Sequence, residues 1–266
     1  YAAFLDEKLL WIPSTRTLDL QTLQGIGPAA LWLIHPSNLA QLAVAGEEQI
    51  IDRPLALMLL LIGVWVLVRV RRRLLMQLAH SAKAVRDVYS DRFTQTLRCC
   101  GATLLLAMPA ALVVAFFGSR LAAHGGGDTY VYAVASGLSA VAMPLFLLRL
   151  FRYIYAVDGL GVAHFRWSEA SAAKMRRYLN VLACVLLPGL FFVRAMDAQP
   201  DEDFQASLGR CAFIVLLLAI AWVNHWVFHP SNGALLSYLS ATSERWIGRL
   251  RHLWYSIAVG IPLSIG

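Results

Sequence analysis

The sequence predicts an all-α membrane protein: a polytopic transmembrane helical bundle of five complete spans and a truncated sixth, with helical cytoplasmic extensions. Three observations predict it. Hydrophobic residues make up 59% of the 266 residues and charged residues 15%, with a mean hydropathy of +0.60, whereas soluble domains carry about a quarter charged residues. Apolar runs free of charge recur five times at or slightly below bilayer length, and a sixth closes the chain. Lysine and arginine, finally, concentrate in alternate connections, the pattern of cytoplasmic loops.

The runs, in order, are Pro54 to Val68, Gly101 to Gly118, Tyr130 to Leu148, Tyr178 to Val193, Cys211 to Phe228 and the terminal "LWYSIAVGIPLSIG" from Leu253. The last would reach about 21 Å as a helix, short of the roughly 30 Å hydrocarbon layer, so it reads as an interrupted span. Residue 1 is tyrosine, not methionine, and both ends are expected to lie inside something longer. Pairing the runs gives four units: an outer interfacial segment (1–53), a first hairpin with a long cytoplasmic extension (54–118), a second hairpin (119–193) and a third, truncated one (194–266).

Residues 69–98, 149–177 and 229–252 hold 17 of the 23 Lys and Arg, and the alternate connections hold 11 of the 16 Asp and Glu. The positive-inside bias therefore places residues 1–53 outside. It also accounts for the net charge of +7 by topology alone, which argues against a nucleic-acid partner. Between Val70 and Arg98 there is no Gly or Pro, and Leu74, Leu75, Leu78, Val85, Val88 and Phe93 fall at helical spacings, so the first two spans are expected to continue as helices beyond the membrane. The cluster Arg71, Arg72 and Arg73 is topogenic and a candidate contact for anionic lipid headgroups. In the outer segment, "FLDEKLLWIPSTRTLDLQTLQ" and "IGPAALWLIHPSNLAQLAVAGEE" predict short amphipathic helices at the interface, with Trp11 and Trp32 at headgroup depth. "HPSN" occurs at 35–38 and 229–232, in unrelated surroundings.

Chemistry has little to work with. The five complete runs contain no Asp, Glu, Lys or Arg, and their strongly polar members are Asn180, Asn224 and His225, near span ends. Membrane enzymes and ion-coupled transporters place ionisable groups within their spans. His225 and His229 share a helical face but have no third ligand nearby in sequence. Cys99, Cys100, Cys184 and Cys211 form no C-x-x-C pair and read as small buried hydrophobes. "HGGGD" at 124–128 has no G-x-S-x-G elbow to accompany it and reads as an outer turn. No catalytic, cofactor or metal residue is assigned.

The positive pattern is mechanical. Pro109, Pro144, Pro188 and Pro262 lie inside apolar runs, where proline removes a backbone hydrogen bond and favours a kink. Ala107, Ala111 and Ala115, and Ser136 and Ala140, put small residues at four-residue spacing, which lets helices approach closely. Bent, loosely coupled helices would change tilt when the bilayer is stretched or thinned.

"FLDEKLLWIPS", "GVAHFRWSEA" and "LWYSIAVGIPLSIG" together resemble the inner-membrane domain that precedes the pore module in large, many-span MscS-superfamily mechanosensitive channels, the MscK and MscM type. The resemblance covers essentially the whole chain from Phe4. It implies a bacterial inner-membrane homo-oligomer, a heptamer, that releases ions and small osmolytes on hypo-osmotic shock, with lipids as partners and no cofactor. This chain would be its peripheral, lipid-facing, tension-sensing part, and the pore residues would lie elsewhere. A secondary-transporter fragment and a non-conducting membrane scaffold or lipid-handling protein are the alternatives.

Overall fold

A computed structural model describes residues 24–52, 54–86, 92–124, 128–229, 233–234 and 251–265. Its helices are α1 (Ile26–Ile34), α2 (Pro36–Asp52), α3 (Pro54–Arg86), α4 (Arg92–His124), α5 (Thr129–Ile154), α6 (Glu169–Asp197), α7 (Arg210–Phe228) and α8 (Arg251–Ile265). Two π-helical turns, Leu160–His164 and Gln205–Gly209, lead into α6 and α7 respectively. No strand occurs among the described residues. Five helices are long and apolar enough to cross a membrane, and each contains one of the five complete runs. The terminal run is α8, 15 residues long.

At 33 residues each, α3 and α4 are about 50 Å long, some 20 Å more than the hydrocarbon layer needs. The expected helical extension is therefore present on both, while the tip of the hairpin lies outside the described residues. Each long helix packs chiefly on its chain neighbours, α3 on α4, α4 on α5, and so on to α7 on α8. The helices thus form a series rather than a closed ring. Two glycines permit the closest approaches: a Cβ on Gly118 of α4 would lie 2.7 Å from Ser139 Oγ of α5, and one on Gly137 of α5 would lie 2.6 Å from Phe191 Cδ2 of α6. Ala107 and Ala111 are buried, whereas Ala115 is exposed.

Buried apolar clusters sit toward the two ends of the long helices. At one end Ala45, Leu121, Tyr130, Val131 and Val134 pack with Trp32, Leu33 and Leu42, and Ala29, Ala133, Ala195 and Met196 extend that layer. At the other, Leu74, Leu78, Cys99, Ala102, Leu106 and Leu160 form one cluster, and Met175, Val223, Val227 and Ala234 another. Among the described residues, the first end holds parts of the acid-rich connections and the second parts of the basic ones.

Local chemistry sets the corners. Asp128 caps α5, its carboxylate accepting from the N–H of Tyr130 at 2.9 Å and of Val131 at 3.3 Å, and Ser168 caps α6 by accepting from the Ser171 N–H. The aspartate of "HGGGD" thus belongs to a helix start. In the first "HPSN", Pro36 opens α2, and the Asn38 amide donates to Trp32 O at 2.8 Å, turning α1 into α2. The second copy is only partly among the described residues.

One expectation needs correction. Cys99 is buried and Cys100 and Cys211 are half-buried, but Cys184 is exposed: among the described residues no neighbouring helix covers its face of α6. The Trp32 ring packs edge-on to Tyr130 at 5.0 Å and against Phe204 at 5.9 Å. It ties α1 to the start of α5 and to the α6–α7 connection. Trp11 lies outside the described residues.

Candidate functional site

The apolar length of α3 stands apart from the rest. In its most apolar 18-residue window no residue is buried, and Leu55, Met58, Leu59, Leu61, Ile62, Trp65, Val66 and Val68 are exposed. From Pro54 to Val68 its charge-free stretch is about 22 Å long, shorter than the hydrocarbon layer. The Arg69 guanidinium lies 5.2 Å from the centre of the Trp65 ring, a cation–π pair that suits a membrane boundary. Arg71, Arg72 and Arg73 follow, all exposed, where headgroup phosphates could reach them.

The buried residues of α3 lie beyond those arginines. Leu74 and Leu78 are 5% and 3% exposed because α4 brings Cys99, Ala102 and Leu106 against them and the π-helical turn inserts Leu160. That turn is built by its own residues. Gly159 passes so close to the carbonyls of Tyr153 and Ile154 that no side chain fits. The Trp167 backbone N–H donates to Gly161 O at 2.9 Å and its ring stacks on Tyr155 at 5.0 Å, with Arg166 at a positive φ of 56° just before it. The "HFRW" string is thus the closure of a docked loop.

His164 pins the loop to the hairpin: its Nδ1 pairs with Thr96 Oγ1 at 2.9 Å, and its Nε2 is buried without a hydrogen-bond partner among the described residues. Burial lowers its pKa below the ordinary histidine value. The docked loop therefore binds fewer protons than the undocked one, so the docking contribution is complete above about pH 6.5 and is lost as pH falls through the lowered value. Amide exchange across 160–167, corrected for intrinsic rates, should be faster at pH 5.5 than at 7.5, and H164F should remove the difference. An unchanged pH difference in H164F would place the titration elsewhere.

The C-terminal end of α7 and the first turns of α8 are joined by polar contacts. His225 Nδ1 pairs with Tyr255 Oη at 2.8 Å, the Asn224 amide donates to Ala258 O at 2.7 Å, and the His225 and His229 rings lie 5.1 Å apart. Among the described residues no three His, Cys, Asp or Glu gather as a metal set would. Of the four prolines, Pro109 and Pro144 are half-buried, Pro188 is exposed and Pro262 is buried, each within a continuous helix. The sequence had signalled the arginines and the prolines. It had not shown the docked loop or the partner of Asn224, which depend on residues 34 or more positions apart.

A series of helices, five of them long and apolar enough to cross a membrane, with an apolar helix left uncovered at one end of the series, defines a polytopic membrane-protein module. The family comparison makes the class specific: residues 54–266 match the mechanosensitive ion channel inner membrane domain 1, and the chain belongs to that family. It is 26% identical over 263 residues to the miniconductance mechanosensitive channel MscM of Escherichia coli (strain K12), covering 96% of this chain and 23% of that protein. The chain thus spans about a quarter of that relative's length. No solved structure matches it. These findings bear out the resemblance, the all-α polytopic fold and the assignment to a mechanosensitive-channel transmembrane region, and favour neither the transporter nor the scaffold.

Proposed function

We propose that this chain is the peripheral, lipid-facing, tension-sensing region of an inner-membrane channel that releases ions and small osmolytes on hypo-osmotic shock, with the pore module outside these residues. The observation that carries the reading is α3, unburied along its apolar length yet fastened at its inner half to α4 and the docked loop. A lipid-surrounded helix whose charge-free length falls short of the bilayer favours a thinner membrane. Tension thins the bilayer and so favours the tilt of α3 that suits it, and the fastened half passes that change along the series. In liposome patches the full-length protein should give tension-activated currents, and residues 1–266 alone none. Currents from the isolated fragment would overturn the peripheral role.

The homo-oligomer, heptameric by the resemblance, and the outer placement of residues 1–53 belong to the same proposal. The charge distribution supports that placement, as does the presence of parts of the basic connections at one end. With native cysteines replaced, a cysteine at exposed Ala122 should react with an impermeant maleimide in intact cells and one at exposed Met76 should not; the reverse would invert the topology. The arginine cluster then faces the anionic cytoplasmic leaflet, where each arginine contributes about 1 kcal/mol of attraction. Changing Arg71, Arg72 and Arg73 together to glutamine should weaken retention of anionic lipid in detergent by more than tenfold, and equal retention would remove them as headgroup contacts.

A further inference from the structure

Proline at position 262 withholds an N–H from the interior of α8, and the acceptor left without its usual donor is the carbonyl four residues earlier, Ala258. That carbonyl is the one to which the Asn224 side chain donates, at 2.7 Å, across from α7. Pro262 is itself buried. Three residues before Ala258, on the same face of α8, Tyr255 meets His225, the residue next to Asn224. An unpaired carbonyl is costly where water is scarce, so α8 is helical through its proline with a donor supplied by its neighbour.

We infer that Asn224 is a positioning residue of the tension response: its amide replaces the N–H that Pro262 removes and thereby fixes the depth at which α8 lies against α7. The reading rests on the channel function proposed above. Its specificity comes from backbone bookkeeping: the carbonyls preceding Ala258 in α8 are engaged by donors one turn on. If α8 slides one turn along α7, by about 5.4 Å, so that Trp254 comes opposite Asn224, Asn224 meets a carbonyl whose hydrogen bond is already made. The contact is satisfied at one register and lost at the next, so it acts as a catch between two positions of α8. An ordinary apolar helix pair has no such preference.

The test is a double-mutant cycle in the full-length protein, N224A and P262A singly and together, with open probability read at fixed tension in liposome patches. N224A should change the open-to-closed ratio by roughly three- to tenfold, the range of interhelical hydrogen bonds in membranes. P262A restores the missing N–H, so adding N224A to it should change the ratio less than twofold. Equal effects of N224A in both backgrounds would overturn the inference. If N224A does not accumulate in membranes, recovery by P262A supports the inference and failure to recover overturns it. A wild-type protein with no tension-activated current would refute the channel reading instead. The pairing would then be judged by the same cycle in melting temperature, where additivity again overturns it.

Discussion

Gly159→Val is expected to undock the 159–167 loop from the α3–α4 hairpin and to lower the melting temperature in detergent by about 6–12 °C. The backbone φ at Gly159 is −80°, open to any residue, so the requirement is one of space. A Cβ there would collide with the Tyr153 carbonyl and lie 2.6 Å from the Ile154 carbonyl and 3.0 Å from that of Ala156. Those carbonyls belong to the end of α5 and its closing turn, where Ala156 donates to Tyr153 O and Gly159 to Ala156 O. They cannot retreat without breaking the turn. Overpacking of this kind costs roughly 3 kcal/mol, and each kcal/mol corresponds to about 2–4 °C in a chain of this size.

The consequence extends beyond the turn. Leu160, 6% exposed, leaves the cluster that fastens α3, and His164 leaves Thr96. Amide exchange over 156–167 should then rise together with exchange over 74–82 of α3. Gly101→Ala is the control: nothing lies within 4 Å of its Cβ position in the interior of α4, and it should stabilise by about 0.5–1 kcal/mol. Unchanged exchange over 74–82 in G159V would mean that the loop does not hold α3, and the proposed lever would lose its anchor.

The spans were legible because each is a long charge-free run and because basic residues mark every second connection. Those signals need no tertiary knowledge, and α3, α4, α5, α6 and α7 fall where they put them. The extension of α3 and α4 past the membrane was legible for a related reason: Val70 to Arg98 holds no helix breaker. What stayed hidden depends on contacts between distant positions. The packing of Trp32 is one case, since nothing near it in sequence announces Tyr130 or Phe204. Cys184 looked buried since its run is apolar on all sides, and only the series arrangement of the helices shows which side faces outward. The pairing of Asn224 with Ala258 was half legible: Pro262 implies an orphaned carbonyl at 258, but the donor sits on another helix. Gly137 and Gly118 carried no signal, because the neighbours that make them necessary come from the next helix.

Gly137→Leu should separate the two halves of the series. Between α5 and α6 the fit depends on the missing side chain: a Cβ at Gly137 would lie 2.6 and 2.8 Å from the Phe191 ring and 3.0 Å from the Phe191 carbonyl. The ring has room to turn only at the expense of both outer clusters it contacts, and the carbonyl is part of α6 itself. Leucine therefore pushes α6 away at a cost of about 1–3 kcal/mol, and the displacement matters more than the energy. Since α6 packs on α7 and α7 on α8, in the proposed mechanism this junction is a route by which a movement of α3 and α4 would reach α8. In liposomes G137L should shift the tension midpoint without abolishing the current, whereas F191A added to it should move the midpoint back by making room. Disulfide trapping between cysteines at exposed Ser139 and Cys184 would not report on this gap, so the direct readout is the distance between spin labels on Tyr132 of α5 and Val181 of α6, both exposed. A G137L protein with that distance and the midpoint unchanged would show that α5 and α6 do not transmit the signal through this contact, and the serial coupling would have to bypass it.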